Sequence, residues 1–161
     1  MKLNIRKAIE SDMKSVLKLI KELASFENEP DAVQLSAKDL TNHGFGEKPA
    51  FKLYVAELEN EIVGIALFYE RYSTWKGKAI HLEDLIVQEK HRARGIGNAL
   101  YSKVMEYAYN HDYKRVAWEV LDWNTSAIKF YESTGAKVLK NWKVAQMDEK
   151  SLKKFVKKIK H

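Results

Sequence analysis

The sequence predicts an α/β fold with a mixed, mostly antiparallel sheet of about seven strands flanked by helices. Three observations predict it. Apolar residues repeat at helical spacing on both sides of a central segment, that segment holds three runs rich in β-branched and aromatic residues, and short polar turns join the runs. Strands joined by short turns pair antiparallel. The predicted order of elements is β-α-α-β-β-β-α-β-α-β-β.

The first half of the chain supplies one strand, two helices and the antiparallel group. Serine and aspartate side chains mark helix starts, because their oxygens accept hydrogen bonds from the free N–H groups there. Alternating apolar residues mark strands, because successive side chains of a strand point to opposite faces. We predict a strand at 3–7, a helix capped by Ser11 or Asp12 with an apolar face reaching Ala24, a helix from Ser36 to Gly44, and strands at 51–58, 62–71 and 79–87.

The second half alternates helices and strands. Glycine commonly follows the last turn of a helix, where the backbone adopts a positive φ. We predict a helix after Gly95 with an apolar face reaching Ala108, a strand at 115–121, a helix from the Asn124 cap to Gly135, strands at about 137–139 and 142–147, and a lysine-rich helix or tail at 148–161.

Composition narrows the class of protein. A chain of 161 residues, 45% of them hydrophobic, predicts a single domain over 1–161. The absence of cysteine excludes disulfides, thiolate metal sites and a cysteine nucleophile, and no histidines stand at metal-ligand spacing, so we predict no metal. The longest apolar run, 62–69, is far shorter than the ~20 residues that span a bilayer. No signal peptide is recognisable, so we expect a soluble, cytoplasmic protein with no membrane partner.

The net charge of +6 is unevenly placed. Residues 148–161 hold six lysines and two carboxylates, so the other 147 residues carry only +2. A nucleic-acid-binding domain would show a basic stripe with interleaved aromatic residues. We therefore expect the tail to be a solvated helix face and nucleic acid not to be a partner. By contrast, residues 22–31 contain four carboxylates and no lysine or arginine.

The segment from His81 to Ala99 carries the clearest chemical signal. A strand ends near Val87, a basic loop follows, and Gly95 and Gly97 open a helix. Backbone N–H groups at a helix N-terminus bind anions, and Arg92 and Arg94 add cationic donors, so the segment predicts a phosphate or pyrophosphate site. The Walker A pattern is absent, and Leu100 stands where a dinucleotide fingerprint needs its third glycine.

The spacing Arg92-x-x-Gly95-x-Gly97 resembles the pyrophosphate loop of the GNAT superfamily of N-acetyltransferases, whose order of elements is also the predicted one. Four blocks resemble its spermidine/spermine branch, which includes thialysine and diamine acetyltransferases. These blocks are FGEKP at 45–49, YSTWKGK at 72–78, HLEDLIV at 81–87 and WNTSAIKFYESTGA at 123–136. The resemblance implies a GNAT fold and direct acetyl transfer from acetyl-CoA to a small primary amine in a ternary complex.

The resemblance also implies roles on the donor side of the reaction. Acetyl transfer requires a neutral amine, a polarised carbonyl and a proton for the departing thiolate. Tyr131 matches the family's general acid, and Glu83 is the candidate general base, directly or through water. The candidate residues for binding acetyl-CoA are Leu85, Ile86, Val87, Arg92, Ala93, Arg94, Gly95, Ile96, Gly97, Asn98, Asn124, Ser126 and Tyr131.

A cationic acceptor needs carboxylates near its amines. The candidate residues for binding it are Phe26, Glu27, Glu83, Asp84, Trp118 and Glu119. Strand alternation predicts that Glu83 and Asp84 point to opposite faces. Enzymes of the branch tend to carry carboxylates before the tryptophan matching Trp142, where this chain has Lys140 and Asn141. That departure favours a diamine, lysine or thialysine over spermine.

Other readings of the sequence stay open. His81 replaces a tyrosine common in the branch, and the pattern does not indicate its role. The resemblance implies a homodimer that pairs through C-terminal strands. The alternatives to a small-amine acetyltransferase are a catalytically idle CoA-binding module, a nucleic-acid-binding protein acting through the lysine-rich tail, and an acetyltransferase for protein lysines or N-termini.

Overall fold

The structure is a computed structural model that describes residues 2–160. It confirms an α/β fold around one mixed sheet, with five strands in the order β1-β2-β3-β4-β5 over these residues. The first four strands pair antiparallel, and β4 pairs with β5 in parallel. The strands are β1 Leu3–Lys7, β2 Lys52–Leu58, β3 Glu61–Ser73, β4 Gly77–Val87 and β5 Val116–Ala117; the helices are α1 Met13–Phe26, α2 Ala37–Phe45, α3 Ile96–Asn110, α4 Thr125–Ser133 and α5 Glu149–Ile159.

The predicted hairpin between β2 and β3 is confirmed. Glu59 and Asn60 form its turn with φ angles of 52° and 65°. Two consecutive left-handed residues give a turn whose twist matches that of the paired strands. The predicted helix ends are also observed: the Asn124 side chain accepts from Ala127 N at 3.3 Å, and Gly135 adopts a φ of 97° after α4.

The sheet is covered on both faces within the part of the chain that ends at Glu119. Ile65, Leu67 and Ile86 face α1 and α2 and belong to their buried core. The opposite face carries α3: a Cβ at Gly64 would lie 3.0 Å from Leu100 Cδ1, and the rings of Phe68 and Tyr107 are 5.2 Å apart. Burying each large apolar side chain contributes about 1.5–3 kcal/mol, so this double packing holds β3 and β4 firmly.

Three of the predicted strands differ in the structure. The strand expected over 115–121 shortens to Val116–Ala117, and no strand forms at 137–139 or 142–147. The apolar pattern at 137–147 led to the wrong prediction, because a strand also needs a neighbouring strand with which to exchange hydrogen bonds. Instead, Leu139, Trp142, Val144 and Met147 are each more than half exposed.

The chain divides into two compact units, one up to Glu119 and one from Val120 onward. The second unit contains α4 and the predicted lysine-rich helix α5, in which Asp148 caps the helix by accepting from Ser151 N at 2.8 Å. Over residues 2–160, none of the helices has the length and apolar character needed for a membrane span.

Candidate active site

Glu83 lies at a β-bulge in β4. Leu67 of β3 pairs with Asp84, whereas the next residue, Phe68, pairs with Leu82, so Glu83 has no partner in the β3 register. An extra residue on one strand breaks the strict alternation of side chains and re-aims those beside it. The bulge therefore decides where the two adjacent carboxylates of β4 point.

Both carboxylates are directed toward the α1 and α2 face of the sheet. Asp84 pairs with Leu67, which belongs to the core on that face. Glu83 Oε2 accepts a hydrogen bond of 2.9 Å from the hydroxyl of Tyr69, whose ring packs against the same core. The prediction that Glu83 and Asp84 occupy opposite faces is wrong, because it assumed an unbroken strand.

Electrostatic coupling extends this group to the end of α1. Burial, followed by the charges of Glu83 and Glu27, raises the pKa of Asp84 to about 6. Burial also raises the pKa of Glu27. Three of the predicted acceptor-binding residues therefore lie close enough to repel one another, which is the condition for an acidic site that a cation can relieve.

Tyr69 connects a fourth carboxylate to this group. Burial and the hydrogen bond to Glu83 raise the pKa of Tyr69 to about 12, and Glu119 contributes in the same direction. Trp118 differs, since its ring contacts Tyr101 of α3 at a centroid distance of 5.7 Å. The structure thus places Glu119 near the acidic group and Trp118 beside α3.

His81 is the residue of this site that the sequence pattern left without a role. It is 8% exposed, and its Nε2 lies 3.3 Å from Glu83 Oε2. On the other side of the ring, Nδ1 lies 3.3 Å from Arg71 Nη1. Sequence reasoning missed Tyr69 and Arg71, and the only signal for His81 was its position two residues before Glu83 on one strand.

The parallel pairing of β4 and β5 ends early. It consists of Ile80 with Val116 and His81 with Ala117, whereas β4 continues to Val87. Within residues 2–160, the only strand that pairs with positions 82–87 is therefore β3. Positions 85–87 therefore lie on an open strand edge, where backbone N–H and C=O groups can bind an extended ligand.

The loop from β4 to α3 presents backbone N–H groups. Ala93 and Gly95 adopt φ angles of 59° and 80°, and α3 begins directly after Gly95. Left-handed residues followed by a helix N-terminus form a concave anion site, since the first N–H groups of a helix have no partner within it. A Cβ at Gly97 would meet Val87 Cγ2 at 3.7 Å, an ordinary contact, so the protein itself leaves space there.

The side chain of Arg92 fastens this loop to the rest of the first unit. Its Nε donates to the Val87 carbonyl at 3.0 Å, and its guanidinium lies 5.1 Å from the ring centroid of Phe26 at the end of α1. Glu22 of α1 lies 3.9 Å from Arg92 Nη2 and accepts from Glu89 N at 3.0 Å. These contacts anchor the loop to β4 and α1 through Arg92.

The remaining predicted site residues lie in the second unit. Asn124 caps α4, Ser126 stands in its first turn, and Tyr131 follows Phe130 with ring centroids 5.5 Å apart. No group of three or more histidine, aspartate or glutamate residues able to hold a metal ion occurs in the described part of the chain.

Comparison with known proteins identifies the family of this arrangement. Residues 14–136 match the acetyltransferase (GNAT) family. The chain is 40% identical over 143 residues to the thialysine N-epsilon-acetyltransferase of Bos taurus, covering 84% of each protein. It is 36% identical over 139 residues to the human spermidine/spermine N(1)-acetyltransferase-like protein 1, covering 82% of this chain and 20% of that protein.

A solved structure supports the fold. An integron cassette protein from the mobile metagenome of V. cholerae superposes with a TM-score of 0.79 at 24% identity, covering 98% of this chain and 99% of that one.

Proposed function

The chain belongs to the acetyltransferase (GNAT) family and is an acetyltransferase, and we propose that it transfers acetyl from acetyl-CoA to a primary amine of a small cationic acceptor. The observation that carries the proposal is the group formed by Glu27, Glu83 and Asp84 at the β4 bulge. Glu83 and Asp84 lie on β4, which leads directly into the backbone anion site, and Glu27 directly follows α1. The proposed cation-binding and phosphate-binding regions thus both adjoin β4.

On the donor side, backbone groups do most of the binding. We assign the pyrophosphate to residues 93–98 and the pantetheine arm to the open edge of β4 at 85–87. Arg92 braces the loop through Val87 and Phe26. Asn124 and Ser126 are assigned to the same ligand. Acetyl-CoA supplies the activated acetyl group when it is bound.

On the acceptor side, the carboxylates select a cation of limited length. Two or more carboxylates orient a diamine or a lysine-like amine by binding the charge that does not react. The names of the relatives, thialysine N-epsilon-acetyltransferase and spermidine/spermine N(1)-acetyltransferase-like protein, fit an aliphatic amine. Lys140 and Asn141 add no negative charge for a longer polycation, so we assign a diamine, lysine or thialysine.

The transfer itself needs three proton steps. In our proposal Glu83 takes a proton from the ammonium group, and the neutral nitrogen attacks the thioester carbonyl. A C–N bond forms, the C–S bond breaks, and Tyr131 gives its phenolic proton to the thiolate. The nitrogen then loses its second proton through water, and this proton restores the phenol of Tyr131. Glu83 suits the role because it is ionisable, held by Tyr69 and half exposed to the solvent that receives the proton.

We also propose that the enzyme acts as a homodimer, as the resemblance implies. Its support is the exposed apolar segment at 139–147, since Leu139, Trp142, Val144 and Met147 would be buried by a second copy. Sedimentation analysis of the full chain would report a dimer. A monomer at micromolar concentration would remove this part of the proposal.

An amine panel tests the proposed activity. Thiol release from acetyl-CoA is measured with thialysine, lysine, a four-carbon diamine, spermine and a neutral-ended monoamine of matched length. We expect kcat/KM to be highest for the first three, because each places one further positive charge within reach of the carboxylates. The monoamine has no such charge, and spermine adds charges for which no further carboxylate is assigned. Equal values for the monoamine would refute the acidic acceptor site, and no release with any amine would refute the small-amine function.

A further inference from the structure

We propose that His81 is a positioning residue for Glu83 and that Arg71 holds it in the neutral tautomer with the proton on Nε2. The inference rests on the proposed role of Glu83 as general base. It concerns three neighbouring side chains, Arg71 on β3 and His81 and Glu83 on β4. Their order in space is guanidinium, imidazole, carboxylate.

The contact with Arg71 determines the tautomer. A guanidinium has only donors and stays protonated in proteins, so the atom facing Arg71 Nη1 at 3.3 Å must accept. That atom is Nδ1 of His81. A neutral imidazole whose Nδ1 accepts carries its proton on Nε2, and a doubly protonated ring would place two donors against each other.

The other ring nitrogen then presents its proton to the base. His81 Nε2 lies 3.3 Å from Glu83 Oε2, and the Tyr69 hydroxyl donates to the same oxygen at 2.9 Å. The imidazole and phenol rings contact each other at a centroid distance of 5.3 Å. Because His81 and Tyr69 both contact Oε2 of Glu83, we assign the other carboxylate oxygen, Oε1, to the acceptor amine.

This arrangement concerns the orientation of the Glu83 side chain at the bulge. Glu83 has no partner in the β3 register, so strand pairing does not fix its direction. The buried imidazole supplies that direction instead, as side chains behind a ligand or base commonly do. The proton that Glu83 takes up leaves through its half-exposed carboxylate to solvent.

Three variants test the positioning role. His81→Leu removes the donor, His81→Gln returns an N–H donor at the distance of Nε2, and His43→Leu makes the same change at an exposed site in α2. We expect kcat to fall about tenfold in His81→Leu, with KM for acetyl-CoA unchanged. His81→Gln should recover most of that loss, and His43→Leu should match the parent. A His81→Leu enzyme with the parent's kcat, or a His81→Gln enzyme as slow as His81→Leu, would overturn the inference.

Nitrogen NMR of the imidazole tests the tautomer without measuring activity. In the full chain at neutral pH, we expect His81 to show the shifts of a protonated Nε2 and an unprotonated Nδ1. Arg71→Met removes the donor that faces Nδ1, so a ring with a proton on Nδ1 should appear in the spectrum. A ring protonated at Nδ1 in the parent, or a spectrum unaffected by Arg71→Met, would refute the role of Arg71.

The two proposals fail in different ways. If Glu83→Gln retains the parent's kcat, Glu83 is not the base, whatever the NMR result for His81. If Glu83→Gln is impaired while both His81 variants match the parent, the proposed function stands and His81 has no positioning role.

Discussion

The two regions that we propose to bind the substrates are built from different chemical groups. Beside the bulge, the side chains of Glu27, Glu83 and Asp84 create an acidic region whose charges repel one another. In the loop that follows β4, the proposed binding groups are backbone N–H groups, positioned by the left-handed conformations of Ala93 and Gly95. We call these the acidic region and the backbone region.

The difference predicts how each region responds to substitution. A side-chain carboxylate can be replaced by its amide with little change in shape, so the acidic region should respond to charge alone. A backbone site has no side chain to remove, and it can be altered only through its conformation or by filling its space. Each variant below should therefore change one kinetic parameter more than the other.

The largest effect is expected at Glu83. Glu83→Gln keeps the size of the side chain and removes its ability to accept a proton, and general bases contribute 10²–10⁴-fold. We expect kcat to fall at least about 100-fold while KM for acetyl-CoA stays within about twofold, since the backbone region is untouched. Steady-state kinetics with the best amine of the panel measure both, with Glu59→Gln in the exposed β2–β3 turn as the control. A loss confined to KM would make Glu83 a binding residue only.

An intermediate effect is expected at Gly95. Gly95 has a φ of 80° with no neighbouring atom within 4 Å of an added Cβ, so Gly95→Ala strains only the backbone. A left-handed alanine costs about 1–2 kcal/mol, and relaxing that strain would displace the N–H groups. We expect KM for acetyl-CoA to rise about tenfold, because about 1.4 kcal/mol is a factor of ten, with little change in KM for the amine.

Gly77 provides a matched control for Gly95. It has a φ of 92° and equally open surroundings, and it stands at the first position of β4, directly after a turn. Gly77→Ala should lose similar stability in thermal unfolding without raising KM for acetyl-CoA. Equal increases in KM for the two variants would mean that the effect is a general loss of stability.

The backbone region was largely predictable from the sequence, and the acidic region was not. Gly95, Asn124 and Gly135 mark conformations that few other residues adopt, so their local structure follows from residue type. The bulge at Glu83 depends on how β4 pairs with β3, and no local pattern records that register. For the same reason the sequence could name Glu83 and Asp84 but could not place them on one face.

The shortened sheet has a similar explanation. Residues 142–147 are rich in apolar side chains, as many strands are, yet a strand also requires an edge to pair with. Val116 and Ala117 pair with Ile80 and His81 at the edge of β4, and β5 ends there. The contacts of Tyr69 and Arg71 could not be predicted from the sequence, because they depend on which residues of β4 lie opposite them when β3 and β4 pair.

The smallest change in activity is expected at Asp84, where function and stability should move in opposite directions. Asp84→Asn removes one of several charges that attract the acceptor, so KM for a diamine should rise about threefold to fivefold, in the range of 1 kcal/mol or less. KM for the neutral-ended monoamine should stay constant. The same substitution should stabilise the fold at neutral pH.

The sign of this stability change follows from proton binding. Burial raises the pKa of Asp84 from 3.8 to about 6, so between these values the folded chain holds a proton that the unfolded chain releases. Stability therefore falls as pH rises through this window, and at pH 7 Asp84→Asn should gain at most about 3 kcal/mol, at 1.36 kcal/mol per pH unit. Urea unfolding at pH 4 and pH 7 measures the gain, which should shrink at pH 4. Asp112→Asn, in the exposed turn after α3, should show no such pH dependence. A variant less stable than the parent at pH 7 would mean that the Asp84 carboxylate is stabilised by its neighbours, and the acidic region would then not be one of mutual repulsion.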